Sequence, residues 1–306
     1  MNQVKFSVFA DLHYRDGDWN WASRRLEAIL RRAEDENVDF IMHCGDFCHN
    51  VATGKPIIER YNHFHIPTRH TVGNHDFEQT DGLRIVLDAY RIGEKSYYFF
   101  DVNGIRMISI DTNYHRGANG ELLHYADDTA WAKCHQEGVI LPPEELVFLR
   151  NAVETAAGPC VIFSHESAIR PCDLANGEEV RQTLGEVRRN RPILWINGHH
   201  HRNHLQVSGG IAWFDLNSTT SDWVNRPHRA YPEELMRKCP VAEHELLYDT
   251  PVHAVVTVTG DGRVEISGME GNPYLGVTPE DTGNDPIDRG GYPFDTSVLS
   301  AGFRLR

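Results

Sequence analysis

The sequence lacks the features that mark membrane proteins, disulfide-linked secreted proteins and nucleic-acid binders. No apolar run approaches the roughly 20 residues that a membrane-spanning helix needs, so we expect no membrane contact. The six cysteines are dispersed without C-x-x-C spacing, and the N-terminus shows no signal-peptide pattern, which together predict reduced thiols and a cytoplasmic protein. Only 30 residues are basic against 44 acidic ones, and this net charge of −14 disfavours a nucleic-acid polymer as partner.

The chain has 306 residues, enough for one large domain with a substantial core, and no internal repeat is visible. Apolar periodicity predicts helices at 19–36, 80–91, 142–156 and 177–190, and hairpins at 96–111 and 252–268. We expect a main domain over residues 1–270, with insertions at about 112–140 and 218–250. The Gly-, Pro- and Asp-rich tail over 271–306 has three interpretations: an arm covering the domain, an arm reaching a partner subunit, or a disordered end.

Five short polar motifs each follow a predicted strand that is rich in apolar residues. In chain order they are Asp11-x-His13, Gly45-Asp46, Gly73-Asn74-His75-Asp76, His165 and Gly198-His199-His200-His201. Because strand side chains two residues apart share a face, His199 and His201 converge while His200 points away. In open α/β sheets, ligands gather at the carboxyl ends of the strands. Each motif alone also fits an ordinary loop, but five at one sheet edge predict a single site.

The motif side chains offer carboxylate, amide and imidazole donors, a set that suits two adjacent divalent transition ions such as Mn, Fe or Zn. The predicted ligands are Asp11, His13, Asp46, Asn74, His165, His199 and His201. Asp46 has two carboxylate oxygens and can bridge both ions. His75 remains for proton transfer, and Asp76 is expected to orient its ring or to bond the local backbone. Cys44 and Cys48 flank Asp46, where buried packing is favoured over a role as soft ligands.

Together the five motifs resemble the calcineurin-like metallophosphoesterase superfamily, over residues 4 to about 220. The resemblance implies an α/β (α+β) fold, a four-layer αββα sandwich of two mixed sheets flanked by helices, with a C-terminal extension. It also implies two metal sites that share Asp46, the first with Asp11, His13 and His201, the second with Asn74, His165 and His199. The helix predicted after Leu141 is similar to one in the small bacterial phosphodiesterase-like branch. By contrast, the chain lacks the Arg-Gly typical of protein serine/threonine phosphatases and the Gly-Asp-x-x-Tyr of purple acid phosphatases.

The resemblance implies an enzyme that hydrolyses a phosphoester, with a metal-bridging hydroxide attacking phosphorus and His75 assisting the leaving group. We expect a small phosphodiester or nucleotide substrate, as in cyclic-nucleotide phosphodiesterases, with phosphomonoesters as the alternative. A metal-binding scaffold without turnover is the alternative from another class, and the acidic balance disfavours a nuclease. The expected substrate contacts are Asn74, His75, Tyr114 and Arg116, and loops of the two insertions are expected to choose the substrate. A homo-oligomer is compatible with the sequence.

Overall fold

Two six-stranded mixed sheets form the centre of the molecule, in a computed structural model that describes residues 2–80, 82–127, 138–170, 173–288 and 290–305. The first sheet contains β1 (Gln3–Phe9), β2 (Phe40–Cys44), β3 (Thr68–Thr71), β14 (Ala254–Thr259), β15 (Arg263–Gly268) and β16 (Ala301–Arg304), in the order β16-β15-β14-β1-β2-β3. The second contains β4 (Tyr98–Val102), β5 (Ile105–Ser109), β8 (Cys160–Phe163), β9 (Ile193–Asn197), β10 (His204–Ser208) and β11 (Ile211–Asp215), in the order β10-β11-β9-β8-β5-β4. Two small ribbons pair β6 (Tyr114–Arg116) with β7 (Leu122–His124) and β12 (Ser221–Trp223) with β13 (Glu245–Leu247).

Helices cover the outer faces of the sheets or belong to the loops. They are α1 (Ala22–Asp35), α2 (Lys55–Asn62), α3 (Leu83–Tyr90), α4 (Pro143–Glu154), α5 (Gly177–Val187), α6 (Glu233–Lys238) and α7 (Pro279–Thr282). Among the helices of the described ranges, none is both long and apolar enough to cross a membrane.

The two sheets pack face to face because alternate strand residues turn to opposite sides. Phe6 and Val8 of β1 belong to the core between the sheets, where Met107 of β5 also lies. Phe9 of β1 turns the other way, into a core that it shares with Leu26 of α1. Helix, sheet, sheet and helix therefore follow one another, and the predicted four-layer sandwich is confirmed.

Within each sheet, the strands that precede the polar motifs pair in parallel with one another. In the first sheet β1 pairs in parallel with β2, and β2 with β3, while in the second sheet β8 pairs in parallel with β9. Parallel strands end at the same edge of a sheet, so the motifs that follow them start from common edges. Because the two sheets pack face to face, the motif-bearing edge of one sheet lies next to that of the other.

Backbone conformation explains where the structure differs from the predicted helices. Helix α1 begins at Ala22 instead of residue 19. Trp21 has a left-handed φ of 56°, which a right-handed helix cannot include, so the helix starts after it. Helix α3 begins at Leu83, since Gly82 has φ 104°. Helix α2 was not predicted; it has only eight residues, and this length gives little apolar periodicity.

The C-terminal tail packs along the main domain. Strand β16 pairs with β15 at the edge of the first sheet. Arg202 Nη1 donates to the carbonyl oxygens of Pro286 (2.9 Å) and Tyr292 (2.7 Å), and Arg170 Nη1 donates to Asp288 at 3.1 Å. Both arginines are buried. The described tail residues thus correspond to the arm that covers the domain, whereas a domain boundary at residue 270 stays a prediction.

Candidate metal centre

Strained backbone marks the loops that carry the predicted ligands. Left-handed φ values occur at Asp11 (56°), His13 (49°), Asp46 (62°), His199 (73°) and His201 (55°). Non-glycine residues are uncommon there, and each costs of order 1–3 kcal/mol unless the surrounding structure holds it. Two backbone hydrogen bonds stabilise this conformation: Asp11 N–H donates to the Gly45 carbonyl oxygen (3.0 Å), and His13 N–H donates to the Asp46 carbonyl oxygen (2.9 Å). Such strain concentrates at functional sites.

Two glycines permit the loops to approach one another closely. A Cβ atom at Gly45 would lie 2.2 Å from His165 Nδ1, and one at Gly73 would lie 2.3 Å from Asp46 Oδ1. Both distances are far below van der Waals contact, so a side chain at either position would push the ligand loops apart. The glycines of these two motifs therefore serve the geometry of the site.

A first group of buried donors contains Asp11, His13 and His201. His13 Nε2 lies 3.1 Å from His201 Nε2 and 3.8 Å from Asp46 Oδ2. His201 Nε2 lies 3.4 Å from Asp11 Oδ1. These atoms, which come from the loops after β1, β2 and β9, surround one point.

A second group lies directly beside the first and contains Asp46, Asn74, His165 and His199. His165 Nε2 lies 3.1 Å from Asp46 Oδ2 and 3.0 Å from Asn74 Oδ1. His199 Nδ1 lies 3.2 Å from Asn74 Oδ1 and 3.3 Å from His165 Nε2. The structure thus brings all the predicted ligands together, and Asp46 is within reach of both groups.

The span that carries these donors matches a known family. A family model described as calcineurin-like phosphoesterase matches residues 4–203. The chain belongs to the calcineurin-like phosphoesterase family. It is therefore a hydrolase acting on phosphoester bonds, which confirms the class predicted from the motifs, and the family uses dinuclear divalent metal centres.

Solved structures share the fold of this phosphoesterase. A dimetal phosphatase from Danio rerio has a TM-score of 0.58 and 16% identity, and the match covers 87% of this chain and 95% of that chain. A Plasmodium protein described as the anchor in the inner membrane complex has a TM-score of 0.55 and 10% identity, with coverage of 100% and 90%. At such identities the likeness shows the fold alone. No curated protein matches the chain.

The hydrogen bonds around the histidines of the first donor group show which ring nitrogens face a possible cation. His201 Nδ1 donates to the Ser221 carbonyl oxygen at 2.6 Å. His49 Nδ1 donates to the Glu78 carboxylate, and His49 Nε2 accepts from Arg15 Nε at 2.9 Å, with His13 Nδ1 3.0 Å away. Nε2 of His13 and Nε2 of His201 both turn inward and lie 3.1 Å apart. Carboxylate oxygens of Asp11 and Asp46 converge with them, and this donor set fits a divalent metal ion.

The second group of donors also fits a cation. His165 Nδ1 donates to the Cys44 carbonyl oxygen at 2.9 Å, which fixes the tautomer and turns Nε2 inward. That nitrogen then faces the Asp46 carboxylate and the Asn74 side-chain oxygen, both of which are acceptors. Once His165 Nε2 has lost any proton, three acceptors are directed at one point, which fits a bound cation.

The charges of the cluster set a competition between protons and metal ions. Burial dominates at His13 and lowers its pKa well below the usual value, so this ring is neutral. Burial also acts to lower the pKa of His165, but the charge and hydrogen bond of Asp46 outweigh it and raise that pKa. A proton on His165 must therefore leave when a cation binds, and metal binding is expected to weaken as the pH falls.

Asp76 is fully buried and ties together the loops that carry Asp46 and Asn74. Its carboxylate accepts hydrogen bonds from the backbone N–H groups of Asp46 (3.1 Å), Phe47 (2.9 Å), Cys48 (3.2 Å) and Gly73 (2.8 Å), and from the Tyr90 hydroxyl (2.5 Å). Burial and the charge of Asp46 raise the pKa of Asp76 to about 6. Of these backbone contacts only the one with Gly73 is the local bond that the sequence suggested; the other three join Asp76 to the loop after β2.

His75 lies at the rim of the cluster, and its ring is oriented by Glu78, a residue that the sequence analysis missed. His75 Nδ1 lies 2.8 Å from Glu78 Oε2, and the backbone N–H of His75 donates to Asp46 Oδ1 at 2.8 Å. The same Glu78 oxygen also contacts His49 Nδ1. Glu78 follows His75 by three residues, and in a helical turn this spacing puts both side chains on one face. This spacing could have predicted the contact. His49 gave no such signal.

The structure places two of the expected substrate contacts, Tyr114 and Arg116, on the β6–β7 ribbon. Arg116 Nη1 donates to the Gly120 carbonyl oxygen at 3.3 Å, and the Tyr114 ring packs edge-on against His124 with centroids 4.7 Å apart. These contacts lie within the ribbon, whereas Asn74 and His75 lie in or beside the donor cluster. Substrate contact by Tyr114 or Arg116 stays a prediction, and residues 128–137 of this insertion lie outside the described ranges.

Proposed function

We propose that the chain is a dinuclear metal-dependent phosphoester hydrolase that acts on a small phosphodiester or nucleotide. The observation that best supports the metal pair is the convergence of buried carboxylate oxygens and ring nitrogens, with Nε2 of His13 and Nε2 of His201 only 3.1 Å apart. The first ion would be held by Asp11, His13, Asp46 and His201, and the second by Asp46, Asn74, His165 and His199. When bound, the ions supply Lewis acidity and lower the pKa of a coordinated water. Mn, Fe and Zn all suit these donors.

His75 is the proposed proton donor to the leaving oxygen. Its Nδ1 lies 2.8 Å from Glu78 Oε2, so Nε2 is the nitrogen proposed to give its proton to the leaving oxygen. Burial acts to raise the pKa of Glu78, but hydrogen bonds from His49 and His75 outweigh it and lower that pKa, so the carboxylate stays charged. A charged carboxylate at Nδ1 fixes the orientation of the His75 ring. The pair therefore suits general acid catalysis.

A comparison of two chromogenic esters tests the substrate class. With Mn²⁺ supplied, we expect the purified protein to hydrolyse bis-p-nitrophenyl phosphate with a higher kcat/KM than p-nitrophenyl phosphate. The measurement is the initial rate of p-nitrophenol release over a range of substrate concentrations. A strong preference for the monoester would instead make the protein a phosphomonoesterase of the same family.

Glu78→Gln tests the orientation of the proton donor. Removing the charge should lower kcat for esters of alkyl alcohols by about 10- to 100-fold, because the partner of a functional imidazole typically contributes this much. The effect on p-nitrophenyl esters should be much smaller, since p-nitrophenolate departs without a proton. The quantity to measure is kcat for both kinds of ester, with exposed Glu94→Gln as the matched control. An equal loss for both leaving groups would assign Glu78 a structural role instead.

Two further expectations stay predictions from the sequence. They are the cytoplasmic location and assembly into a homo-oligomer. The four cysteines in the described ranges are buried free thiols, as expected for packing residues.

A further inference from the structure

Glu166 is a buried carboxylate beside the second group of donors. It follows His165 in the loop after β8, and only 1% of its surface is exposed. The Thr112 hydroxyl donates to Glu166 Oε2 and accepts from the Glu166 backbone N–H at 3.3 Å. These two hydrogen bonds fix the position of the side chain. No motif of the sequence included Glu166 among the predicted ligands.

The other carboxylate oxygen of Glu166 has no hydrogen-bond partner among the described residues. This atom, Oε1, is itself buried. The strongest charges around the side chain include two further carboxylates, those of Asp46 and Asp173. Burying a carboxylate is costly unless a cation and hydrogen bonds compensate it. A cation bound by the second group of donors would supply that compensation.

The Glu166 carboxylate lies close to two ligands of the second proposed ion. One of its oxygens and one ring nitrogen each of His165 and His199 lie within 4.8 Å of one another. Both histidines also contact the Asn74 side-chain oxygen, at 3.0 Å and 3.2 Å. Donors on opposite sides of one ion are about 4 Å apart, because each lies about 2.1 Å from it. A small shift of the Glu166 side chain therefore brings all three donors around one ion.

We propose that Glu166 is a fifth protein ligand of the second ion. The inference rests on the proposed dinuclear site and adds one residue to it. Asp46, Asn74 and Glu166 then offer oxygen atoms to this ion, and His165 and His199 offer nitrogen atoms. Zn²⁺ in proteins usually binds four donors, whereas Mn²⁺ suits oxygen ligands and six-fold coordination. The added carboxylate should therefore favour Mn²⁺ in the second site.

Glu166→Gln tests this assignment, because the amide keeps the size of the side chain and can still accept from Thr112. Calorimetric titration of Mn²⁺ into the metal-free wild type should show two bound ions. In the variant, one of the two dissociation constants should rise about 100-fold, since losing a residue that only orients a ligand already costs about 10- to 100-fold. The same titration with Zn²⁺ should show a smaller rise.

Glu145→Gln is the matched control for this variant. Glu145 is also fully buried, and its Oε1 also has no hydrogen-bond partner in the described part of the chain. It belongs to none of the donor groups found among the described residues. Glu145→Gln should therefore bind both ions with the affinity of the wild type.

Thermal melting distinguishes a ligand from a residue that only supports the fold. An ion stabilises the folded state through its affinity, so Mn²⁺ should raise the Tm of Glu166→Gln less than that of the wild type. The Tm of the metal-free variant should stay close to the wild-type value. Glu166→Ala, which removes both oxygens, should show the same loss of one ion. A lower metal-free Tm with an unchanged Mn²⁺-induced rise would assign Glu166 a structural role instead.

The outcomes separate the role of Glu166 from the proposed function. Unchanged Mn²⁺ affinity in both Glu166 variants, an equal loss for Mn²⁺ and Zn²⁺, or the same loss in Glu145→Gln would overturn the fifth ligand and leave the metal pair in place. A wild type that binds fewer than two ions would overturn the metal pair itself. A wild type that binds two ions but hydrolyses neither p-nitrophenyl ester would overturn the proposed function alone.

Discussion

Asp46→Asn should lose bound metal and hydrolytic activity together. Asp46 Oδ2 lies 3.1 Å from His165 Nε2 and 3.8 Å from His13 Nε2, so this one carboxylate reaches both groups of donors. The amide removes the charge and one donor oxygen, and each proposed ion loses a ligand. Metal ions supply several kcal/mol of transition-state stabilisation, and each 1.36 kcal/mol is tenfold in rate, so kcat/KM should fall on the order of 10³-fold or more.

Asparagine is chosen because it preserves the local backbone. Asp46 has φ 62°, a conformation in which asparagine is among the best tolerated side chains after glycine. Its side-chain oxygen can still accept the His75 N–H, which donates to Asp46 Oδ1 at 2.8 Å in the wild type. Metal content after Mn²⁺ loading, measured by mass spectrometry, should drop in Asp46→Asn and stay unchanged in Asp35→Asn, at the exposed end of α1. Full metal content with full activity would contradict the bridging role.

His75→Ala should separate metal binding from turnover. His75 faces Glu78 at the rim of the cluster and is not among the proposed ligands, so both ions should remain bound. Loss of the proton donor should slow hydrolysis of esters with alkyl leaving groups by about 10²- to 10⁴-fold, the usual contribution of general acid catalysis. Esters of p-nitrophenol should be affected far less. Metal content and kcat for the two kinds of ester are the measurements.

His65→Ala is the matched control for this variant, because the His65 side chain is 61% exposed on the surface. It should keep both metals and full activity. If His75→Ala loses its metals, His75 is a ligand and not the proton donor; if it keeps full activity, the proposed role disappears. A wild type that binds metals but hydrolyses no phosphoester would favour the scaffold without turnover.

The donor cluster was predictable because each of its motifs is local. Asp11 and His13, and likewise His199 and His201, follow a buried strand directly, which puts them at the edge of the sheet. Their final directions depend on left-handed backbone at all four residues, which the strand period does not predict. That the motifs meet follows from the strand directions alone, since parallel strands end at one edge of the sheet. Pattern and topology therefore brought the proposed ligands to one edge, and the left-handed loop backbone completed their convergence.

The contacts that orient the donors were not predictable in the same way. Glu78 reaches His49 only because the loops after β2 and β3 are adjacent in space, and no spacing in the sequence expresses that. The tail has no periodicity because its backbone carbonyls bond to Arg202 instead of to a regular ladder. Such contacts appear only once distant segments have packed.

The strand order of the first sheet has a consequence for synthesis of the protein. Strand β1 pairs with β2, which follows soon after it in the chain, but its other neighbour is β14, whose residues leave the ribosome more than two hundred residues later. Until then the backbone of Gln3–Phe9 presents an unpaired edge next to apolar side chains, the kind of surface that aggregates or recruits chaperones. Nascent chains of this protein should therefore depend on chaperones for most of their translation.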